Sequence, residues 1–289
     1  MTRSGAVRPA LVAGTWYPAD GAQLAREVDR HLAAVARSDS RAASPGALTA
    51  IVAPHAGLRY SGPTAAYAYR LIDPAAFDVV VLVGPAHRAD FIGAAAAAHD
   101  AFDTPLGRAS IDRSCADAIV RCGERIAFND GPHAHEHSLE MQLPFLRRVA
   151  PDLPIVPILM GRQTTDAIQD VAQAVALGTE GRRALLVAST DLSHYHPAPA
   201  AAALDREVLD CVARFDVDAL AELLDRRPEH ACGGGPLVAV MGAARSRGAD
   251  AAMVLHYSDS GDVTGDKTAV VGYMAAAFLR ASGARRQPR

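Results

Sequence analysis

The sequence predicts an α/β/α sandwich built on one central, mostly parallel or mixed sheet, and three observations predict it. Six apolar runs have strand length and little alternation, the pattern of strands covered on both faces. Segments of helix length separate most of them, as in alternating α/β chains. Three of the runs stop abruptly and deliver histidine or aspartate just beyond the stop.

Taken in order, "QLAREVDRHLAAVA" from Gln23 spaces its apolar residues as a helix does, and "ARSDSRAASPGA" from Ala36 reads as a surface loop. The run "LTAIVAP" at 48–54 is a buried strand ended by Pro54, because proline cannot continue a hydrogen-bonded ladder. His55 stands immediately past it. A helix from Gly62 leads to "FDVVVLVGP" at 77–85, which repeats the device with Gly84, Pro85 and then His87. Further helices are expected from Ser138, Asp166, Ala202 and Gly234, and further strands at 153–161, 184–190, 251–258 and 268–278. The strand at 184–190 ends at Ser189 or Thr190 and supplies Asp191, His194 and His196. Parallel strands share a carboxyl edge, so these three endings open onto one crevice, where open α/β sheets bind ligands.

Bulk properties narrow the function. A chain of 289 residues with formal charge −3 has no basic footprint for nucleic acid or an anionic membrane surface. No window has the apolar length of a membrane helix and the N-terminus lacks a secretory apolar core, so a cytoplasmic protein acting on a small molecule is expected. The four cysteines form no CxxC pair. Cys115, Cys122 and Cys211 lie in helix-like stretches and read as small buried apolar groups. Cys232 differs, because "CGGGP" puts it before three glycines and a helix start, where it is expected to shift toward thiolate and the glycines to approach a ligand.

Two imidazoles, His55 and His87, and the Cys232 sulfur make a three-ligand metal site with open positions, the arrangement of catalytic rather than structural metals. Asp191 and His194 remain as the catalytic groups: the histidine to move a proton, the aspartate to fix its tautomer or accept a bond from substrate.

These segments resemble the Memo family, known in prokaryotes as AmmeMemoRadiSam system protein B. "AGTWYP", "APHAGLRYSG", "GPAHR", "EHSLEMQLPF", "STDLSHY", "CGGGP" and "YSDSGDVTGD" stand in family order from about residue 10 to residue 278. The resemblance implies a fold similar to the class III extradiol dioxygenases and a single domain over 8–280, while the Arg-rich end reads as a disordered basic tail over 281–289. It also implies metal ligation by His55, His87 and Cys232, with Asp191 and His194 completing the pocket, and association with AMMECR-type and radical SAM proteins. In the dioxygenases a carboxylate is the third ligand; a thiolate there favours Fe, Zn or Cu(I). The leading expectation is therefore a non-haem Fe(II) oxidoreductase with His194 as proton shuttle. A zinc-type hydrolase and a non-catalytic metal, redox or partner-binding protein are the alternatives.

The other motifs compete with plain packing. His133, His135 and His137 alternate, but run into a helix, so His133 and His135 are read as structural. His137 and Glu140 share a helical face and could orient a ligand from behind. "DSGDVTGDK" from Asp259 lacks the spacing of a calcium loop and reads as a turn between strands. Trp16 and Tyr60 stand beside family motifs and could line the pocket, but core packing is the simpler reading for both, and His256 too is read as a packing residue.

Overall fold

The structure is a computed structural model that describes residues 6–35 and 46–281. The expected surface loop from Ala36 and the expected basic tail lie outside the described residues, apart from Gly46, Ala47 and Ala281. The described chain runs β1 (Val7–Arg8), α1 (Gly21–Ala34), β2 (Gly46–Ala53), α2 (Leu58–Tyr69), β3 (Val79–Pro85), β4 (Ala94–Ala96), β5 (Ala101–Phe102), β6 (Ala109–Ser110), α3 (Arg113–Cys122) and β7 (Ile126–Phe128). It continues as α4 (Leu143–Val149), β8 (Ile155–Met160), α5 (Thr165–Gly178), β9 (Ala184–Ser189), β10 (His194–His196), α6 (Ala198–Ala213), α7 (Val217–Arg226), α8 (Gly234–Ser246), β11 (Ala251–Asp259), α9 (Gly261–Thr264) and β12 (Val270–Ala281).

One mixed nine-stranded sheet has the order β10-β12-β2-β9-β3-β8-β4-β7, with β11 also paired to β12. Its centre, β2-β9-β3-β8, is parallel, while β12 runs antiparallel to β2 and β4 antiparallel to β8. Successive side chains point to opposite faces of a strand. In β3, Val79, Val81 and Val83 therefore join one apolar cluster, and Val80 and Leu82 the other. Helices α3, α5, α6, α7 and α8 cover the first face, and α1, α2 and α4 the second. Burial on both faces is why the strand sequences do not alternate.

All six expected strands form within about three residues of their expected ends. The helix expected from Ser138 begins later, because residues 140–142 form a 3-10 turn before α4. The short strands β4 to β7 carry too few residues to show a period.

The topology places the site. Ala53 of β2 lies beside Ser189 of β9, and Val83 of β3 beside Ala188, so these strands end together. Whatever follows each strand is brought to one edge of the sheet.

Candidate metal centre

His55, His87 and His137 each present a ring nitrogen to a common point, and these atoms lie within 4.8 Å of one another. The His55 ring centroid is 5.1 Å from that of His87 and 5.6 Å from that of His137, and the His87 and His137 rings stack at 4.7 Å. The first two stand past β2 and β3 as expected. The third arrives on the long connection between β7 and α4.

Hydrogen bonds from behind select the ring nitrogen that faces inward. The Ser189 hydroxyl donates to the Ser138 carbonyl at 2.7 Å, and having one proton it must accept from its other neighbours. It accepts from Gln142 Nε2 at 2.8 Å and from His55 Nδ1 at 2.9 Å. His55 therefore carries its proton on Nδ1 and leaves Nε2 as the acceptor that faces Cys232 Sγ at 3.3 Å. Gln142 is itself oriented, because its Oε1 accepts from the Tyr69 hydroxyl at 2.8 Å.

Glu136 does the same for the other two rings. Its carboxylate accepts from His87 Nδ1 at 2.9 Å, lies 3.2 Å from His137 Nδ1, and also accepts the backbone N–H groups of His87, His137 and Ser138. A carboxylate behind a histidine fixes its tautomer and raises its basicity as a ligand. Burial pushes the Glu136 carboxyl up, but hydrogen bonding and charge from His87, with Ser138 N–H and His137, outweigh it and hold the group at about 2. Desolvation lowers His55 well below its ordinary value and His137 to about 4. Burial thus favours the neutral imidazole at His55 and His137 in the metal-free centre, the form that ligates metals.

This charge state carries a pH dependence. The folded value of Glu136 lies below its ordinary 4.5, so its contribution is complete above about pH 4.5 and is lost as pH falls toward 2. His137 is lowered from 6.5 to about 4, so the unfolded chain takes up a proton that the folded chain refuses over that range, and acidification again favours unfolding. Urea unfolding of metal-free protein is expected to lose stability steadily from pH 6.5 to pH 3, by an amount on the order of a few kcal/mol. Glu136→Gln should flatten the portion below pH 4.5; an unchanged slope in that variant would exclude Glu136 as its source.

Cys232 reaches the same centre. Its Sγ is 3.3 Å from His55 Nε2, close enough for both atoms to touch one ion, although the sulfur is outside the mutual set formed by the three imidazoles. The expected shift toward thiolate is corrected: burial, reinforced by the charge of Asp191, pushes the thiol well up. The expected ligand-binding role of the glycines is corrected too. Gly233 N–H donates to Thr190 Oγ1 at 3.0 Å and Gly235 N–H to Gln163 Oε1 at 2.6 Å, so the loop spends these donors on the protein itself. A Cβ at Gly233 would collide with the Ser189 carbonyl oxygen, and this close approach is what requires glycine there.

Asp191 is buried and accepts the backbone N–H groups of His55 at 2.7 Å and Ala56 at 3.3 Å. It therefore holds the turn that carries His55, and burial raises its carboxyl to about 7 against the lowering effect of those bonds. His194 opens β10, where its ring is hydrogen-bonded to the Leu192 carbonyl and lies within the electrostatic reach of His87; desolvation lowers it as well.

The remaining motifs sort into packing and support. His133 is buried against the Ala95 carbonyl at 3.0 Å, and His256 stacks on Tyr67 with ring centroids 4.2 Å apart. The Asp259 turn connects β11 to β12 and is closed by Lys267, which meets Asp259 at 2.7 Å and Asp262 at 2.6 Å. Glu140 accepts from Arg8, from Leu11 and Val12 N–H, and from Tyr17 OH, so it anchors the N-terminal segment. That segment places Trp16 with its ring 4.3 Å from His137. Sequence reasoning passed over Glu136, Ser189 and Gln142. Only Glu136 left a trace, as a carboxylate between histidines in "HEH".

Residues 8–277 match the family described as Memo-like protein. A "MEMO1 family protein" of Methanosarcina mazei is 35% identical over 272 residues, which is 93% of this chain and 98% of the relative. One of Aeropyrum pernix is 37% identical over 279 residues, 93% of this chain and 98% of the relative. A solved structure described as uncharacterized protein JW3007 from Escherichia coli K12 superposes with a TM-score of 0.52 at 18% identity, covering 78% of this chain and 99% of that one, a likeness of fold.

Proposed function

This chain belongs to the Memo family, and on that premise we propose that it is a metal-dependent, dioxygenase-like oxidoreductase acting on a small molecule. The observation that carries this reading is the convergence of three imidazoles, each with one ring nitrogen tied back by Ser189 or Glu136. Such a donor set fits a first-row metal. His55, His87 and His137 would hold it, with the Cys232 sulfur as a further donor beside His55.

Fe(II) bound there would supply the redox chemistry by which dioxygen reacts with an electron-rich substrate. The chain's own residues do the rest. Asp191 keeps the His55 turn in place through two backbone N–H groups. His194, neutral because its environment disfavours the charged form, is the group to take a proton from an incoming substrate hydroxyl and return it later. Trp16 walls the His137 side of the centre.

A three-imidazole set is also that of hydrolytic zinc sites, in which a bound water is acidified to a pKa of about 7. Metal analysis after anaerobic purification, followed by oxygen-electrode measurements with catechol-type substrates, separates the two. Iron near one equivalent and iron-dependent oxygen uptake are expected. Zinc occupancy with hydrolysis in the strict absence of oxygen would replace the oxidoreductase reading by the hydrolase one. Loss of oxygen uptake in His194→Ala at unchanged metal content is the expected sign of the proton shuttle.

A further inference from the structure

A cavity of about 800 Å³ forms a trough along α8. Its floor is the face of α8 that carries Gly235, Val238 and Gly242, spaced three and four residues apart and so aligned along the helix. Because two of these three have no side chain, the floor is recessed between the flanking helices. Ala172 and Ala176 of α5 form one wall, and Ala221 and Leu224 of α7 the other.

The inner end of the trough is the metal centre's own loop. Cys232 lines it, and Gln163 clamps the loop there, donating to the Cys232 carbonyl at 2.8 Å and accepting from Gly235 N–H at 2.6 Å. Gly161 lines both the trough and the smaller polar cavity around His87 and Arg88, so the two are neighbours across that residue. Along the rim Asp218 pairs with Arg245 at 3.3 Å, which leaves Asp225 as the remaining charged lining residue. The trough therefore offers little to an ionic group and much to an apolar one, and its volume is in the range of sites that enclose small ligands.

We propose that this trough binds an uncharged apolar arm, alkyl or aryl, of the small molecule whose polar head enters the imidazole centre. The assignment rests on the function proposed above: its substrate class is an amphiphile with a metal-chelating head and an apolar tail, and the tail leaves the centre past Gly161 and Gln163. A partner helix is a poorer occupant, because the trough ends at Cys232, whose sulfur lies 3.3 Å from His55 Nε2.

Gly242→Trp fills the trough from its floor, since a Cβ there meets only Ala172 Cβ at 3.5 Å and Val217 Cγ1 at 3.8 Å. Ala221→Trp fills it from a wall, and serves if the first variant does not fold. Binding is measured by calorimetry with zinc-loaded protein, using catechol and 4-octylcatechol, and by fluorescence of 1-anilinonaphthalene-8-sulfonate on metal-stripped protein. 4-Octylcatechol is expected to bind at least tenfold more tightly than catechol. The trough variants should abolish that gain and the dye site while leaving catechol affinity and zinc content unchanged. An octyl gain below twofold, or a gain and a dye site that both variants leave intact, overturns the assignment and returns the trough to helix packing or to a protein partner. Absence of catechol binding or of zinc uptake in the wild-type protein instead overturns the metal-centre reading, and with it the link between trough and centre.

Discussion

His55→Ala is expected to lower metal affinity by more than about 100-fold, and His87→Ala and His137→Ala to match it, because each removes one of three converging nitrogens. Cys232→Ser should cost less, about tenfold, since the sulfur adjoins His55 alone. Replacing the buttress behind a ligand, as in Ser189→Ala or Glu136→Gln, is expected to cost about 10- to 100-fold with the ligands intact. The measurement is chelator competition after anaerobic loading with Fe(II) or Zn(II). Quenching of Trp16 is a direct readout, since it is the single tryptophan and its ring lies 4.3 Å from that of His137. The comparison also decides the ligand set. If Cys232→Ser matches His55→Ala while His137→Ala binds normally, the third ligand is the sulfur, and His137 is a wall of the site.

Glu140→Gln is expected to destabilise the protein by about 3–5 kcal/mol, because it removes the counter-charge of the buried Arg8 guanidinium, which keeps neutral partners such as the His133 and Glu136 carbonyls. Arg8 is 2% exposed and Glu140 not at all, and they meet at 2.7 Å. Arg148 and Asp29 are equally close at 2.7 Å but half in water, and breaking that pair should cost under about 1 kcal/mol. The difference is solvent: an exposed charge that loses its partner is rehydrated, whereas a buried one is not. The Tyr17 hydroxyl and the Leu11 and Val12 N–H groups all bond to Oε1, which glutamine can keep, so its NH2 is then turned against the Arg8 guanidinium, donor against donor. At about 2–4 °C per kcal/mol for a chain somewhat smaller than this one, the melting temperature should fall by about 10 °C. Calorimetry on the two variants checks this, and a drop below 2 °C for Glu140→Gln would mean that the N-terminal segment is not held by this pair. Since the same segment positions Trp16, the variant's fluorescence should shift toward that of a solvated indole even below the transition.

Both predictions depend on groups that differ in how far they could be read in advance. His55 and His87 were legible because a strand covered on both faces is a continuous apolar run, and a proline or glycine ending it announces the sheet edge. Cys232 was found from its glycines, although their task is to pass close to the end of β9 and not to cradle an anion. The thiolate expectation failed for a related reason: a helix start attracts negative charge, but burial beside Asp191 opposes it more strongly.

The sequence by itself determined the layered architecture, the six principal strands and the edge at which the histidines emerge. Those properties follow from apolar periodicity and from the backbone limits of proline and glycine, which act over a few neighbouring residues. Only the tertiary structure decided that His137 joins His55 and His87, that Glu136, Ser189 and Gln142 turn the rings, and that Glu140 latches the N-terminus rather than a ligand. Such pairings join residues dozens of positions apart and depend on the path of a connection with no repeating pattern, so they are set by three-dimensional packing and hydrogen-bond satisfaction and leave little imprint on local sequence.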